Sequence, residues 1–458
     1  MSDVDSLSRE ELIGVIQRQR QAFLEQREVV VKLQEEVAVL KAEVEKLRSQ
    51  LGTGGGGAPH WVKPNRAKAA KKRRKKRPNA FVRRSETPTE IVEHALERCP
   101  DCGRKLSGGT VKWKRQVIEI TVAQFDVIEH RFIVRYCGVC RKSYVAKPDL
   151  SGEVVGKHRV GIRLMSLVAY LNMVGRMTKR TIQAFLESMY GLHLGLGEIT
   201  KILHTVARCG EAERDKLLAK IRGSPYINAD ETGWREDGQN GYIWTFSTSD
   251  ERYFIFRRSR SGQVAKEVIG EDYEGVAVTD CYSGYNVLLG DRQQCWAHLL
   301  RDVHKLEEEN PDDEQVGSWA NAVKNVYRRA KEFGSEREKD RWSGRLLFEG
   351  EIHRLSKPYL KSEAVQRVLA ERLADHLVEL FMFVQHPEVP SDNNGAERAL
   401  RPAVIARKVC GGTRSQKGSE TKMTLMTLFG TWRARKLNPM DACRALLAGR
   451  SVLFPHPA

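Results

Sequence analysis

Hydrophobic residues recur every seven positions over residues 8–51, which is the period of a coiled coil. Branched residues on one seam and leucine on the other favour a parallel two-stranded coiled coil. The alternative is a single helix packed against the rest of its own chain. The pattern predicts a coiled-coil helix over residues 1–51 that pairs with a second copy. The two seams are Ile16, Phe23, Val30, Val37, Val44, Leu51 and Leu12, Gln19, Gln26, Leu33, Leu40, Leu47.

Helical periodicity returns between residues 157 and 222. Arg163–Val174, Thr178–Tyr190 and Glu198–Cys209 carry apolar residues at helical spacing, so we predict three helices. Two helices around a glycine-bearing connection resemble a helix-turn-helix, although this connection is long for that motif. A plain layer of packed helices explains the pattern as well. We therefore expect a helical region over 151–222, with DNA binding as one interpretation.

From Pro225 onward the apolar positions alternate with period two, which is typical of strands. Three meandering strands, a helix and two more strands follow the order of a ribonuclease-H-like core. We expect a multidomain α+β protein in which residues 223–310 form the first part of this core. A helical insertion should occupy 311–389, and residues 390–458 should complete the core with C-terminal helices. The predicted strands are Ile227–Asp230, Gly241–Phe246, Tyr253–Phe256, Val276–Thr279 and Asp291–Cys295.

Acidic residues stand at the ends of the first and fourth predicted strands, Asp230 and Asp280, and near the start of a later helix, Glu397. Two divalent cations about 4 Å apart can stabilise both oxygens exchanged in phosphodiester cleavage. Mg²⁺ prefers carboxylate oxygens as ligands. The three carboxylates therefore predict a site for two Mg²⁺ or Mn²⁺ ions, bridged by Asp230. Taken singly, each has an ordinary explanation: a solvated turn, the start of a turn, or a capping box from Asn394 to Glu397.

The charge balance makes nucleic acid the expected partner. Lys and Arg number 77 against 59 Asp and Glu, a net charge of +18, and a chain this basic usually binds a polyanion. Residues 52–90 combine glycines with a basic tract and predict a flexible basic linker. Its DNA affinity should fall steeply with salt, although a solubilising linker is the alternative. The predicted DNA contacts in the tract are Lys71, Lys72, Arg73, Arg74, Lys75, Lys76 and Arg77.

Two Cys-x-x-Cys pairs, Cys99–Cys102 and Cys137–Cys140, use four of the nine cysteines. Each pair offers two thiolates on one tight turn, and two such turns complete a tetrahedral zinc site. We therefore predict one structural Zn²⁺ in a zinc-binding module over 91–150. A redox function is the alternative, but two copies of the motif argue against it.

The sequence has no apolar run of about 18 residues and no apolar leader at its N-terminus. We therefore expect no membrane partner and a reducing bacterial cytoplasm, in association with the nucleoid. A disulfide framework is not expected there.

Four motifs together resemble the transposases of the insertion sequence 66 family over essentially the whole chain. They lie at Asp230–Trp234, Thr279–Tyr285, Cys295–Asp302 and Asn393–Pro402. The resemblance implies a DDE transposase with a ribonuclease-H-like core and a helical insertion before the last acid. It implies Asp230, Asp280 and Glu397 as the catalytic triad, and Mg²⁺-dependent cleavage at element ends with strand transfer into target DNA. Small accessory proteins are possible partners.

Other residues near the motifs are predicted to contact DNA: Trp234, His298, Arg398 and Arg401. His298 could contact the scissile phosphate or a flipped base, and Cys295 with His298 could form half of a metal site. A helix start that packs on the sheet is the other explanation of that pair. Arg398 could equally be an ion-pair partner on its own helix.

The alternative function is a non-catalytic, zinc-containing DNA-binding protein with a decayed ribonuclease-H-like core. A nuclease that performs no strand transfer is a third hypothesis. The intact set of carboxylates favours a transposase. The coiled coil argues against the simple nuclease, because transposition must hold two DNA ends together.

Overall fold

A computed structural model of the chain describes residues 87–454, except 89, 109, 112–114, 117–123, 147–148 and 336–339. The predicted coiled coil over 1–51 and the basic tract from Lys71 to Arg77 lie outside the described residues. The chain divides into two units, Met1–Ala123 and Gln124–Ala458. The second unit contains every helix and strand described below. No helix in the described part of the chain is long and apolar enough to cross a membrane.

Four helices precede the sheet, and three of them occupy the predicted positions within two residues. Thr178 caps the second helix by accepting a hydrogen bond from the backbone N–H of Thr181, as expected for a threonine at an N-cap. The fourth helix was not separately predicted. The helices are α1 (Ile162–Met173), α2 (Lys179–Tyr190), α3 (Leu196–Cys209) and α4 (Glu211–Arg222).

A five-stranded mixed sheet forms the centre of the fold, and it is consistent with a ribonuclease-H-like core. Its strand order is β5-β4-β3-β6-β7. Neighbouring strands are antiparallel on the β5-β4-β3 side and parallel from β3 to β6 and β7. The strands are β3 (Tyr226–Glu236), β4 (Gln239–Ser247), β5 (Arg252–Arg257), β6 (Val276–Thr279) and β7 (Arg292–Gln294), with helix α5 (Gln263–Ile269) between β5 and β6.

The expectation that β3 ends at Asp230 was wrong. The strand continues to Glu236 because β4 pairs with it along this whole stretch, from Asp230 opposite Thr245 to Glu236 opposite Gln239. The hairpin turn between them places Asp237 and Gly238 at φ of 52° and 76°, the left-handed conformation that tight hairpins require. Asp230 therefore lies in the middle of a long strand, at the point where its parallel neighbour ends.

The two faces of the sheet have separate cores. Ile227 and Ala229 pack with α5 on one face, whereas Trp234 packs on the other face with helices that follow the insertion. Side chains alternate along a strand with period two. Asp230 therefore lies on the same face as Asn228 and Trp234, and Glu231 lies on the opposite face.

A group of helices follows β7. The first lies within the interval predicted for the first part of the core, and the others lie in the interval predicted for the helical insertion. They share one core built around Trp296 and Leu299 at the start of the first helix and around Trp319, Phe348 and Phe381 further on. A 3₁₀ turn at Leu377–Glu379 precedes the last of them. The helices are α6 (Trp296–Glu309), α7 (Glu314–Ser335), α8 (Arg341–Ser356), α9 (Arg367–Asp375) and α10 (Met382–Gln385).

Three helices complete the chain after the insertion. They are α11 (Asn394–Cys410), α12 (Gln416–Ala434) and α13 (Pro439–Leu447). Leu400 and Ala403 of α11 pack in one core with Leu425 and Phe429 of α12 and with Ile243 of β4. This core covers the face of the sheet on which Asp230 lies.

The cysteine-rich segment differs from its predicted structure. Its two strands, β1 (Val134–Cys137) and β2 (Lys142–Val145), form a hairpin around the second Cys-x-x-Cys pair, and most of the predicted Val127–Val134 strand is irregular. Cys99 and Cys102 lie on a separate turn. No group of three or more His, Cys, Asp or Glu side chains is positioned to hold a metal ion among the described residues.

Candidate active site

The parallel pairing of β3 and β6 brings Asp230 and Asp280 side by side. The register matches Tyr226 with Val276 and Asn228 with Val278. Two residues further along, the same register reaches Asp230 and Asp280. Neighbouring strands lie about 4.8 Å apart, so the two carboxylates share one edge of the parallel part of the sheet.

Backbone hydrogen bonds orient both aspartates. Asp230 accepts a bond from the N–H of Glu231 at 2.8 Å, and Asp280 accepts one from the N–H of Tyr282 at 3.1 Å. Each bond uses only one carboxylate oxygen, Oδ1 in both cases. The second oxygen of each aspartate is left for a ligand.

Asn393, just before α11, ties that helix to the strands that carry the aspartates. Its side chain donates to the carbonyl of Ala229 at 2.7 Å, and its backbone N–H donates to the Cys295 sulfur at 3.1 Å. The N–H of Cys295 in turn donates to the carbonyl of Thr279 at 2.9 Å. The start of α11 is therefore fixed next to the residues that precede Asp230 and Asp280.

Gly395 allows this close approach of helix and sheet. A Cβ atom at this position would lie 2.9 Å from Nδ2 of Asn228, which is buried on β3. A larger residue would force either the buried side chain of Asn228 or the first turn of α11 to shift.

The surroundings of Asp230 contain an excess of negative charge. Burial first, and then the charges of Glu231, Asp280 and Glu397, raise the pKa of Asp230 to about 7, against the hydrogen bond from the N–H of Glu231. Glu397 thus acts electrostatically on the same carboxylate as Asp280 does. Every neighbouring charge that shifts this pKa is negative, which is the environment that a divalent cation would neutralise.

The three carboxylates form a suitable donor set for hard cations, although they are not drawn together into a coordination geometry. Mg²⁺ and Mn²⁺ prefer carboxylate oxygens as ligands. Asp230, one of the three carboxylates, is half-buried. The residues present therefore fit the divalent cations that the sequence predicted.

His298 lies beside the third carboxylate. Its Nε2 is 3.6 Å from Oε1 of Glu397, and its Nδ1 is buried without a hydrogen-bond partner in the described part of the chain. His298 can thus orient Glu397 through Nε2.

Cys295 has a structural function in this fold. Its side chain is fully buried, its sulfur accepts the hydrogen bond from Asn393, and burial raises the pKa of its thiol. This environment favours the prediction that Cys295 belongs to a helix start packed on the sheet, rather than to half of a metal site.

A second polar network lies behind the aspartates, on the opposite face. Glu231 accepts hydrogen bonds from Tyr285 at 2.6 Å and from Arg260 at 2.8 Å, and the guanidinium of Arg260 lies 4.0 Å from the centre of the Tyr282 ring. Arg260 compensates the buried charge of Glu231. The network holds the loop after Asp280 against β3.

The structure contradicts one predicted DNA contact. Trp234 is only 2% exposed, and its indole N–H donates to the hydroxyl of Thr413 at 3.1 Å, because β3 continues past Asp230 and turns this side chain into the core. Arg398 and Arg401 are exposed on α11, and neither forms an ion pair within the described residues. Their contact with DNA stays a prediction.

Sequence reasoning did not identify Asn393, Glu231 or Arg260 as parts of the site. The Asn393-Asn394-Gly395 run before the helix acid was a usable signal, because two amides and a glycine ahead of a helix suggest a crowded junction. Arg260 had no such signal, since its partner Glu231 lies 29 positions away in sequence.

The chain is similar in sequence to known proteins. The sequence profile described as "Transposase IS66 family" matches residues 157–421, an interval that includes all three carboxylates. Two uncharacterized proteins of Sinorhizobium fredii (strain NBRC 101917 / NGR234) are similar to the chain. Protein y4qI is 25% identical over 266 residues, 50% of this chain and 48% of that protein. Protein y4jD is 24% identical over 311 residues, 59% of this chain and 60% of that protein. The chain thus spans about half to three fifths of the length of these curated relatives.

Proposed function

The chain belongs to the IS66 family of transposases, and from this we propose that it cleaves DNA at the ends of a mobile element and transfers the cut strands into target DNA. The observation that carries the proposal is the convergence of β3, β6 and α11. The pairing of Asn228 with Val278 supports a position of Asp230 near Asp280, and the effect of Glu397 on the pKa of Asp230 supports its position near both.

We assign Asp230, Asp280 and Glu397 as ligands of two divalent cations, Mg²⁺ or Mn²⁺, with Asp230 shared between them. Bound there, such a pair stabilises the attacking and leaving oxygens of a phosphodiester exchange. The protein itself holds the carboxylates in place. Asn393 fixes the start of α11, and His298 lies within reach of Glu397 to orient it.

The remaining parts of the proposal concern partners. DNA would contact Arg398 and Arg401 next to the carboxylates, and the basic tract from Lys71 to Arg77 would add affinity that is insensitive to sequence. The heptad segment over 1–51 would pair two copies and so hold two element ends, with or without small accessory proteins.

Cys99 and Cys102 would ligate a structural Zn²⁺ together with Cys137 and Cys140. The hydrogen bond from the N–H of Cys140 to the Cys137 sulfur, 3.4 Å, is the kind of turn that presents thiolates to a metal.

The decisive experiment measures cleavage and strand transfer by the purified full chain on duplexes that carry the ends of its element. We expect activity with Mg²⁺ or Mn²⁺ and none with a chelator. Asp230→Asn, Asp280→Asn and Glu397→Gln should each lower the rate by more than about 100-fold, beyond the 10–100-fold typical of residues that only support ligands. Asp291→Asn, an exposed aspartate before β7, is the matched control and should leave the rate unchanged.

Calorimetric titration with Mn²⁺ provides a readout that does not depend on activity. The wild-type chain should bind Mn²⁺, and Asp230→Asn should abolish that binding. If the wild-type chain binds DNA but neither cleaves it nor binds Mn²⁺ at this site, the non-catalytic DNA-binding protein becomes the better account.

A further inference from the structure

Basic side chains from three helices gather where α3 packs against α12. His204 of α3 is joined to Thr421 of α12 by a hydrogen bond of 2.6 Å between Nδ1 and Oγ1. Lys179 at the start of α2 and Lys417 and Lys422 on the first turns of α12 surround this histidine. We refer to Lys179, His204, Lys417 and Lys422 as the α2–α3–α12 basic cluster.

These groups are close enough to repel one another. Burial lowers the pKa of His204, and the positive charges of Lys417 and Lys179 lower it further. Burial and, to a smaller extent, the charge of Lys179 lower the pKa of Lys422 to about 8, against the opposing effect of Cys410. The members of the cluster thus lie in one shared positive field.

The cluster has no acidic partner within the described residues. Its three lysines form no ion pair there, and the nearby acid Glu420 accepts instead from Gln416 at 2.8 Å. Lysines elsewhere in the fold are paired, as Lys305 is with Glu309 at 3.5 Å and Lys220 is with Glu251 at 2.7 Å. Repelling cations that stay unpaired at a surface are typical of a site for an external anion.

The surroundings of the cluster suit phosphate in particular. Lys179 and Lys417 are exposed, as are the flanking Arg180 and Arg414. Lys179 and Lys417 belong to the first turns of helices of 12 and 19 residues, where the helix dipole adds to the attraction for anions. These exposed cations form an extended surface instead of a closed pocket. Such a surface can bind several phosphates of one polymer at once.

A stripe of exposed cations leads from the carboxylates in the direction of the cluster. Arg398, Arg401 and Lys408 are exposed on α11, and their spacing of three and seven residues places them on one side of the helix. This stripe begins one residue after Glu397. It ends near the loop that connects α11 to α12, and Lys417 lies in the first turn of α12 just after that loop.

The connection between the cluster and the site is rigid. Arg407 near the end of α11 donates to the carbonyl of Gly233 at 2.5 Å, and Thr413 in the following loop exchanges backbone hydrogen bonds with β3 and its turn, at Arg235 and Asp237. Gly412 is required here, because its φ is 132° and a Cβ atom would lie 2.1 Å from the carbonyl oxygen of Arg235.

We propose that the α2–α3–α12 basic cluster binds backbone phosphates of the duplex DNA that flanks the strand held at the three carboxylates. Its position relative to the cut rests on the proposed function, whereas the contact with DNA does not. The cluster would hold the flanking duplex in register while Arg398 and Arg401 contact the strand nearest the carboxylates.

The first test is lysine acetylation of the full wild-type chain, with and without a 30-base-pair duplex, in the presence of a chelator and followed by mass spectrometry. DNA should protect Lys179 and Lys417, whose side chains are exposed, from acetylation. Lys305, which is exposed but paired with Glu309, should react equally in both samples. Equal acetylation of Lys179 and Lys417 with and without DNA would overturn the proposal.

The second test is DNA affinity as a function of salt for Lys179→Gln/Lys417→Gln. Each lost phosphate contact should reduce the slope of log K against log salt by about 0.9, so the double variant should lose about 1.8. Lys179→Arg/Lys417→Arg should retain the wild-type slope, and Lys305→Gln is the control. A wild-type slope in the glutamine variant would contradict the proposal.

The two proposals can fail separately. Loss of DNA affinity in the cluster variant of a chain that shows no cleavage would support the cluster and refute the catalytic assignment. Unchanged affinity in a chain that cleaves DNA would refute the cluster alone. Both variant pairs replace exposed side chains, and thermal unfolding of each variant checks that the fold is intact.

Discussion

Asp230 is a half-buried carboxylate near three other acidic side chains, and this environment determines how its charge responds to pH. Burial first, and then Glu231, Asp280 and Glu397, raise its pKa to about 7. Because the folded state holds this proton more tightly than the unfolded chain does, stability conferred by protonation is complete below about pH 4 and is lost as the pH rises through about 7. Above that pH the ionised group opposes folding unless a cation binds.

Asp230→Asn should therefore stabilise the metal-free protein at pH 8, by about 1–3 kcal/mol. Urea unfolding in the presence of a chelator measures this, and the difference from wild type should shrink at pH 5. Asp291→Asn, exposed at the edge of the sheet, should change stability by less than about 0.5 kcal/mol. A less stable Asp230→Asn variant at pH 8 would show that the aspartate is held by favourable contacts instead.

Helix α11 brings the third carboxylate to the sheet, and its position depends on the junction before it. Asn393 is 1% exposed and bonds to Ala229 through its side chain and to Cys295 through its backbone. Replacing this side chain leaves the carbonyl of Ala229 without its side-chain donor. The helix can then shift at its N-terminal end, where Glu397 lies one turn further on.

Asn393→Ala should lower Mn²⁺ affinity by about 10–100-fold, the range found when supports of metal ligands are removed, and should cost about 1–3 kcal/mol of stability. Calorimetric Mn²⁺ titration and urea unfolding provide the two readouts. The matched control is Asn394→Ala, since the recorded bond of Asn394 runs from its backbone N–H to Asp392 and survives the substitution. If Asn393→Ala binds Mn²⁺ with wild-type affinity, the junction at Asn393 does not support the metal ligands.

At the scale of the whole molecule, an ion pair joins the helical insertion to the edge of the sheet. Arg292 of β7 donates to Glu379, with its Nη2 2.6 Å from Oε1, and the side chains are 3% and 16% exposed. Burial opposes ionisation of Glu379. His376, Arg292 and Gln294 outweigh that effect, so the pKa falls to about 2. This depressed pKa contributes stability above the ordinary pKa of a glutamate, which is lost as the pH falls toward 2.

Glu379→Gln should destabilise the protein by about 3–5 kcal/mol at pH 7, because it leaves Arg292 buried without its counter-charge. Unfolding measured between pH 7 and pH 2 should show the difference from wild type shrinking below about pH 4.5. Arg292→Met/Glu379→Leu should recover much of the loss, since no uncompensated charge remains. Glu388→Gln, whose side chain is 44% exposed, is the control. A difference that persists unchanged at pH 2 would exclude the ion pair as its source.

Local sequence patterns predicted much of the fold. Val276–Thr279 was predicted with its observed bounds, and the helix predicted at Arg163–Val174 lies at Ile162–Met173. Apolar periodicity is a property of short segments, so it needs no knowledge of distant partners. The acidic residues of the motifs can likewise be recognised without knowledge of their distant partners. The Asp-Glu-Thr-Gly-Trp and Asn-Asn-Gly-Ala-Glu motifs identified the family, and the profile match to residues 157–421 confirmed it.

Long-range packing determined the rest. The length of β3 depends on its pairing with β4, and the burial of Trp234 depends on Thr413, which lies 179 positions away. The junction at Asn393 depends on a carbonyl 164 positions away. Such contacts form only when separate elements meet, so no local pattern encodes them. The sequence could therefore identify the three acids and their family, whereas the way Glu397 is held near Asp230 and Asp280 follows from how the elements pack.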